Sequence, residues 1–269
     1  MLKKILTLGL VLIVALMGAC SSNKALSKTA EEDGKVQKII VGTGTQFPNI
    51  CFLDEDGNLT GYDVELVRLL DEKLPGYEFE FKTMDFSNLL LSLETNKIDF
   101  IAHQMEVNEE RQEKFLFNEE PYNVFPLKVT VHQDNESVQS IEDLAGKKIL
   151  TTATSNAAIF IEKYNKEHDL GAEIIYSSGT PDIINQLRTG RVDATISTPF
   201  SADFLNEQSD AQQKVVGDTL LNSEVFFLFQ KDNTTLQKQI DEALIELKEE
   251  GAVSALSEEW LGADYTVEF

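Results

Sequence analysis

The residues that first invite a chemical reading lie in Lys97–Tyr122, KIDFIAHQMEVNEERQEKFLFNEEPY. A guanidinium answers a carboxylate with two parallel hydrogen bonds, and Arg111 offers one on a short helical segment. Asn108 is a suitable N-cap for that helix, and Glu109 and Glu110 occupy its first turn, where acids suit the helix dipole. These residues alone leave two readings open. Arg111 either holds an anionic ligand group or is an exposed helix arginine paired with Glu109 or Glu110. A second anion-binding element is Thr154-Ser155-Asn156, which caps a later helix. Backbone N–H groups of Ser155 and Asn156 at such an N-terminus suit a carboxylate.

Catalytic patterns are missing. The chain contains no GxxxxGK[ST], HExxH or GxSxG sequence and shows no base paired with a nucleophile. Its histidines, His103, His132 and His168, are scattered, which argues against a His-rich zinc or manganese site. No cofactor is expected. The formal net charge is −23, and such a chain repels nucleic acid and anionic lipid head groups. The charges are spread rather than in blocks, as on an acidic solvated surface.

The elements that must position these residues read as α/β. Lys38–Thr43 is an apolar strand, and Gly42, Gly44 and Pro48 open a loop at its carboxyl end, where such sheets place ligands. Val64, Val67, Leu70 and Leu74 give a helix one apolar face. Tyr77–Thr83 alternates as a strand, 86–94 is helical, and Ile98–Ala102 is a buried strand. This βαβαβ order predicts a mostly parallel sheet. The phrase LETNKIDFIA (Leu93–Ala102) recurs as LRTGRVDATI (Leu187–Ile196), again after a helix and before a strand. Two copies imply two lobes of similar construction, with a cleft between them as the natural ligand site.

In the second half, Lys147–Thr152 predicts a strand, and the helix capped at Thr154–Asn156 runs to about His168. Glu173–Tyr176 predicts a strand, Thr180-Pro181-Asp182 a helix start with Thr180 as cap, and Val192–Ile196 a strand. Asn123–Val131 and Glu224–Phe229 read as crossings between the lobes. Asn233 then caps a helix closed by Gly251, and a last helix carries Trp260. Two crossings make the first lobe discontinuous and act as a hinge.

The order Asp-apolar-apolar-x-x-x-Met…Arg…Phe…Pro-Tyr, Asp99 to Tyr122, resembles the core signature of the amino-acid-binding proteins that serve bacterial ABC importers. IEDLAG (Ile141–Gly146) is similar to that family's opening of the second lobe. The phrases VGTGTQFPNICF, AHQME and ATISTPF resemble the L-cystine-binding members of Gram-positive bacteria. The resemblance implies a type II periplasmic-binding fold of two lobes. It also implies a non-enzymatic role in amino-acid capture, with an ABC permease and its ATPase subunits as partners.

By resemblance, Arg111 holds the α-carboxylate, and Phe47 and Phe86 sandwich the aliphatic part of the ligand. Gln104 and Glu106 stand where relatives often have Gly and Thr, and Thr198 where they often have the Asp that takes the ammonium. Gly44 replaces an acid seen in some relatives. We therefore expect Glu106 to supply the missing ammonium acceptor, unless it simply points to water. We expect Gly44 to leave room for a longer ligand, and Gln104 and Asn156 to serve its polar ends. The expected ligand is L-cystine, with glutamine or cysteine as alternatives. Rival readings are a dehydratase of the same fold using a cleft carboxylate, and a surface adhesin that needs no cleft.

The amino terminus, MLKKILTLGLVLIVALMGAC, has a basic start, an apolar run too short to span a membrane comfortably, and small residues before Cys20. This resembles a lipoprotein signal over 1–19, cut before a lipid-bearing Cys20. The expected product is a monomer anchored by that lipid to the extracellular face of the cell membrane. Residues 20–36 are expected to form a flexible tether, followed by lobe one (37–128 and 225–269) around lobe two (129–224). Cys51 is then the one free thiol, expected as a small buried hydrophobe.

Overall fold

The structure, a computed structural model, describes residues 36–266 apart from residue 178. The signal segment, Cys20 and nearly all of the expected tether lie outside the described residues. The first lobe opens with β1 (Gln37–Thr43), followed by a small antiparallel sheet of β2 (Gln46–Phe47), β3 (Cys51–Leu53) and β4 (Leu59–Thr60). Next come α1 (Tyr62–Lys73), β5 (Tyr77–Thr83), α2 (Phe86–Glu94), β6 (Phe100–Glu106), α3 (Glu109–Lys114) and β7 (Phe115–Phe117). Strand β8 (Asn123–His132) leads to the second lobe, which holds β9 (Lys148–Thr152), α4 (Asn156–Glu167), β10 (Glu173–Ser177), α5 (Thr180–Arg188), β11 (Ala194–Ser197) and α6 (Pro199–Ser209). Strand β12 (Gln213–Gln230) returns, and α7 (Thr234–Glu249) and α8 (Ala252–Leu261) close the first lobe.

The main sheet has nine strands in the order β10-β9-β11-β8-β12-β6-β1-β5, with β7 beside β12. Each lobe contributes a parallel group to this sheet, β1 beside β5 and β6, and β9 beside β10 and β11, while β7 runs antiparallel to β12. The crossings β8 and β12 lie antiparallel against each other, from Gln213 opposite His132 to Val225 opposite Asn123. One large apolar core, with Val41, Leu70, Phe100, Phe227 and Leu244, belongs to the first lobe; a separate one, with Leu127, Val129, Ile149, Ile161 and Ile196, belongs to the second. Two cores joined by two strands make the two-lobed type II binding-protein architecture.

Four local expectations change. Strand β6 runs on to Glu106 instead of stopping at Ala102, because Met105 and Glu106 pair with Phe226 and Val225 of β12. Polar His103 and Gln104 hide that continuation by interrupting the apolar run. Strand β12 begins at Gln213, well before the expected Glu224, since its first half pairs only with distant β8. Helix α6 is an addition, although Thr198-Pro199 carries the same start signal as Thr180-Pro181. Thr180 is itself the first residue of α5 and Gly179 its cap, because the Thr180 hydroxyl donates across the cleft to the Gln46 carbonyl.

Candidate functional site

Between the lobes lies a cavity of about 390 Å³, within the roughly 300–1,000 Å³ usual for small-molecule sites. Phe47, Phe86, Gln104, Glu106, Arg111, Ser155, Asn156 and Thr198 all reach its lining. The chain brings these eight together from β2, α2, β6, α3, α4 and the residue before α6.

Asn108 caps α3 as expected, its side chain accepting from the Arg111 N–H at 2.9 Å. The Arg111 side chain turns inward and is 3% exposed. It donates to the Glu106 carbonyl at 2.8 Å and to the Thr154 carbonyl of the second lobe at 3.2 Å. Burial pulls its pKa down. The exposed-arginine reading fails on this burial, and Glu110 pairs with Lys114 instead. The planar fork still has donors to offer an incoming carboxylate.

Glu106 is 5% exposed, so it does not point to water, and its Oε1 is sealed without a partner. Burial pushes this carboxyl up to about 7, against Ser223, Arg111 and Asn156, which favour the charged form. A buried acid lacking one partner is poised to take an ammonium.

Gln104 departs from expectation. Its backbone adopts a left-handed conformation, φ 48°. Residues 102–104 oppose the single residue Phe227, which makes a bulge in β6. Asp63, at the start of α1, accepts from the Gln104 N–H at 2.8 Å and from its Nε2 at 2.6 Å, while Asn123 Nδ2 donates to Gln104 Oε1 at 3.0 Å. Both ends of the amide are therefore engaged in the interior, and Gln104 shapes the strand.

The second-lobe groups are likewise partly engaged. Asn156 Oδ1 accepts from Asn108 Nδ2 at 2.9 Å, which ties one wall of the cleft to the other. The Ser155 hydroxyl caps α4, and its N–H is directed to the Thr152 carbonyl at 3.3 Å, so this N–H is not the open anion donor expected. Thr198 is 1% exposed and caps α6, its hydroxyl meeting Ser201 Oγ at 2.8 Å. It offers no replacement for an acid.

Phe47 lies in the short strand β2 rather than in a free loop. Phe47 and Phe86 each stand 5.1 Å, centroid to centroid, from the His103 ring. Sequence reasoning misses His103; its place inside AHQME is the one signal. The space beside Gly44 is not vacant either. A Cβ added there would come within 2.7 Å of His103 Nε2, so the imidazole occupies the expected room. Burial drops His103 to about 4, which leaves the ring neutral near neutral pH. Cys51 is fully buried behind Gly44, and burial pushes its thiol up to about 12.

Asp63, fully buried, is also raised to about 7, by burial against its hydrogen bonds from Gln104 and Tyr122. A carboxyl raised on folding contributes stability below its unfolded value that is lost as pH rises through its folded value. His103 acts oppositely between about 4 and 6.5, as do the lowered carboxyls of Asp54, Glu110, Glu142 and Asp264 below the ordinary carboxyl range, but above that range His103 is one group against two. The melting temperature of the ligand-free protein should therefore fall as pH rises from the ordinary carboxyl range through about 7. Combining Asp63→Asn with Glu106→Gln should flatten that slope. An unchanged slope in the double variant would contradict this assignment.

The chain matches the bacterial extracellular solute-binding proteins, family 3, over residues 39–263. It is 51% identical over 257 residues to the L-cystine-binding protein TcyK of Bacillus subtilis (strain 168), covering 95% of this chain and 94% of that protein. A solved Listeria monocytogenes protein ascribed to an L-cystine ABC transporter is 57% identical with a TM-score of 0.81, covering 86% of this chain and 99% of that one. An ancestral arginine-binding protein bound to arginine has a TM-score of 0.77 at 32% identity, covering 84% of this chain and 98% of that one. With a two-lobed fold, an inter-lobe cavity and a family match over nearly the whole described body, this chain belongs to the bacterial extracellular solute-binding proteins of family 3.

Proposed function

We propose that the protein is a lipid-anchored substrate-binding protein of an ABC importer. It captures L-cystine between its lobes and delivers it to the permease. The observation that carries the ligand is the likeness to TcyK, named as L-cystine-binding, along almost the full length of both chains. The cavity supports it. Arg111 and Glu106 supply one cation and one acid, a set matched to a single zwitterionic head. Apart from Asp85, the rest of the lining carries no charged side chain. In this reading Arg111 takes the α-carboxylate, Glu106 the ammonium, and Phe47 and Phe86 flank the disulfide, since sulfur favours aromatic edges. Asn156, and the helix start at Ser155, close over the ligand from the second lobe. Residues 37–128 with 225–269 form one lobe and 129–224 the other, supported by the change of core along β8 and β12. Relatives named as binding proteins support capture rather than turnover. Calorimetry against L-cystine, L-cysteine, L-glutamine, L-arginine and L-glutamate tests the reading. Cystine should bind most tightly, and tighter binding of any other member refutes the ligand.

Anchoring is a separate part of the proposal. Among the described residues no helix is long and apolar enough to cross a membrane. A diacylated Cys20 would supply the two chains that stable anchoring requires. Cys20→Ala should move the protein from the membrane fraction to the medium; retention in the membrane would exclude the lipid anchor.

A further inference from the structure

A ligand with two amino-acid heads needs partners for both, and Arg111 with Glu106 serves only one. Among the described residues, the only charged side chains along the cavity lining are Asp85, Glu106 and Arg111. No second cation lines it to meet a second carboxylate, so a neutral donor must take that place.

His103 meets the requirements. It is 7% exposed, lines the cavity, and is held against the rings of Phe47 and Phe86. Its Nδ1 is sealed from solvent with no hydrogen-bond partner. A buried donor lacking an acceptor is rarer in folded proteins than an under-used acceptor. With Nδ1 enclosed by protein, Nε2 is the ring nitrogen left to meet a ligand, and in the Nε2–H tautomer it is a donor. That nitrogen is the one beside Gly44, which also lines the cavity. Any side chain at position 44 would press on it, so glycine there and imidazole at 103 are a matched pair.

Asp85 supplies the opposite charge. It stands at the N-cap of α2, where an aspartate ordinarily accepts from the first turn. Its side chain makes no capping bond and enters no ion pair among the described residues. It precedes Phe86 in the chain and lines the same cavity, while His103 packs against the Phe86 ring.

We propose that His103 and Asp85 form a second head subsite. His103 Nε2 donates to the distal carboxylate, and Asp85 accepts from the distal ammonium, of a ligand carrying two α-amino-acid heads. This rests on the function proposed above and extends it to the far end of the ligand. It also assigns selectivity. A ligand with a purely cationic tail would leave the His103 donor facing a positive group, and one with a short tail would leave both residues unused.

Calorimetry with L-cystine and with S-methyl-L-cysteine, which keeps the first head and lacks the second, tests the subsite. His103→Phe retains an aromatic ring but removes the N–H, and Asp85→Asn removes the charge. Each should weaken cystine binding about tenfold while leaving S-methyl-L-cysteine within about threefold. Melting curves of both variants serve as the check on folding. Unchanged cystine affinity in either variant overturns the proposal, and so does an equal loss for both ligands, which would mark a structural role. Wild-type protein that binds neither ligand overturns the underlying function as well, and the wild type alone reveals that failure.

Discussion

Arg111→Ala is expected to remove nearly all ligand binding while leaving a folded protein. Truncating one partner of a desolvated, charge-assisted pair costs about 2–5 kcal/mol, or roughly thirtyfold to several thousandfold in affinity. The guanidinium is 3% exposed, so water does not screen the loss. Its bonds to the carbonyls of Glu106 and Thr154 mean that the truncation also loosens a tie between the lobes. Arg111→Lys separates these effects. A lysine keeps the charge but cannot present two parallel donors, so it should recover part of the affinity. Calorimetry of the three proteins against L-cystine decides. An alanine variant that binds within about tenfold of wild type refutes the carboxylate role.

The second large effect concerns Glu106. Without ligand, burial holds its carboxyl at about 7, so near neutral pH a substantial share of molecules carry the proton there. An arriving ammonium favours the ionised form and expels that proton. Binding should then release protons near neutral pH and weaken as pH falls below about 7. Glu106→Gln removes both the charge and the proton release. Affinity should drop by about tenfold to a hundredfold, the range for losing a hydrogen bond to a charged group. The heat of binding should depend on the ionisation enthalpy of the buffer in wild type and lose that dependence in the variant. Normal cystine binding by Glu106→Gln sinks the ammonium role, whatever the ligand proves to be. Should the variant bind weakly yet still release protons, a different group is titrating, and His103 or Asp63 becomes the one to vary next.

Both predictions use residues that are visible in the sequence, but their setting is visible there only in part. Where a signal is local, sequence and structure agree. Helix α2 and strand β5 begin and end at the expected residues, because hydrophobic period acts over a few neighbours. Asn108 caps α3 for the same reason, since its acceptor and the Arg111 N–H lie three residues apart. The repeated phrase before β6 and β11 marks two lobes, and two crossings mark the hinge. The architecture and the family are thus written in local patterns and their repetition.

Other features depend on groups far apart in the chain. The bulge at Gln104 is held by Asp63, 41 residues away, and by Asn123 at the start of the first crossing. No window around AHQME contains either partner, so nothing local shows that the Gln104 amide turns inward. The same bulge accompanies His103 on the cavity lining, among residues that the family resemblance assigns to the ligand. Arg111 shows the limit most plainly. Its local neighbours, Glu109 and Glu110, suit an exposed ion pair, whereas the fold buries it against a carbonyl of the opposite lobe. Burial is a property of the assembled lobes, because water is excluded only when surfaces distant in sequence meet. The identities of the charged groups were therefore set by the sequence, while their desolvation, and with it the raised carboxyl of Glu106 and the neutral ring of His103, was decided by tertiary packing alone.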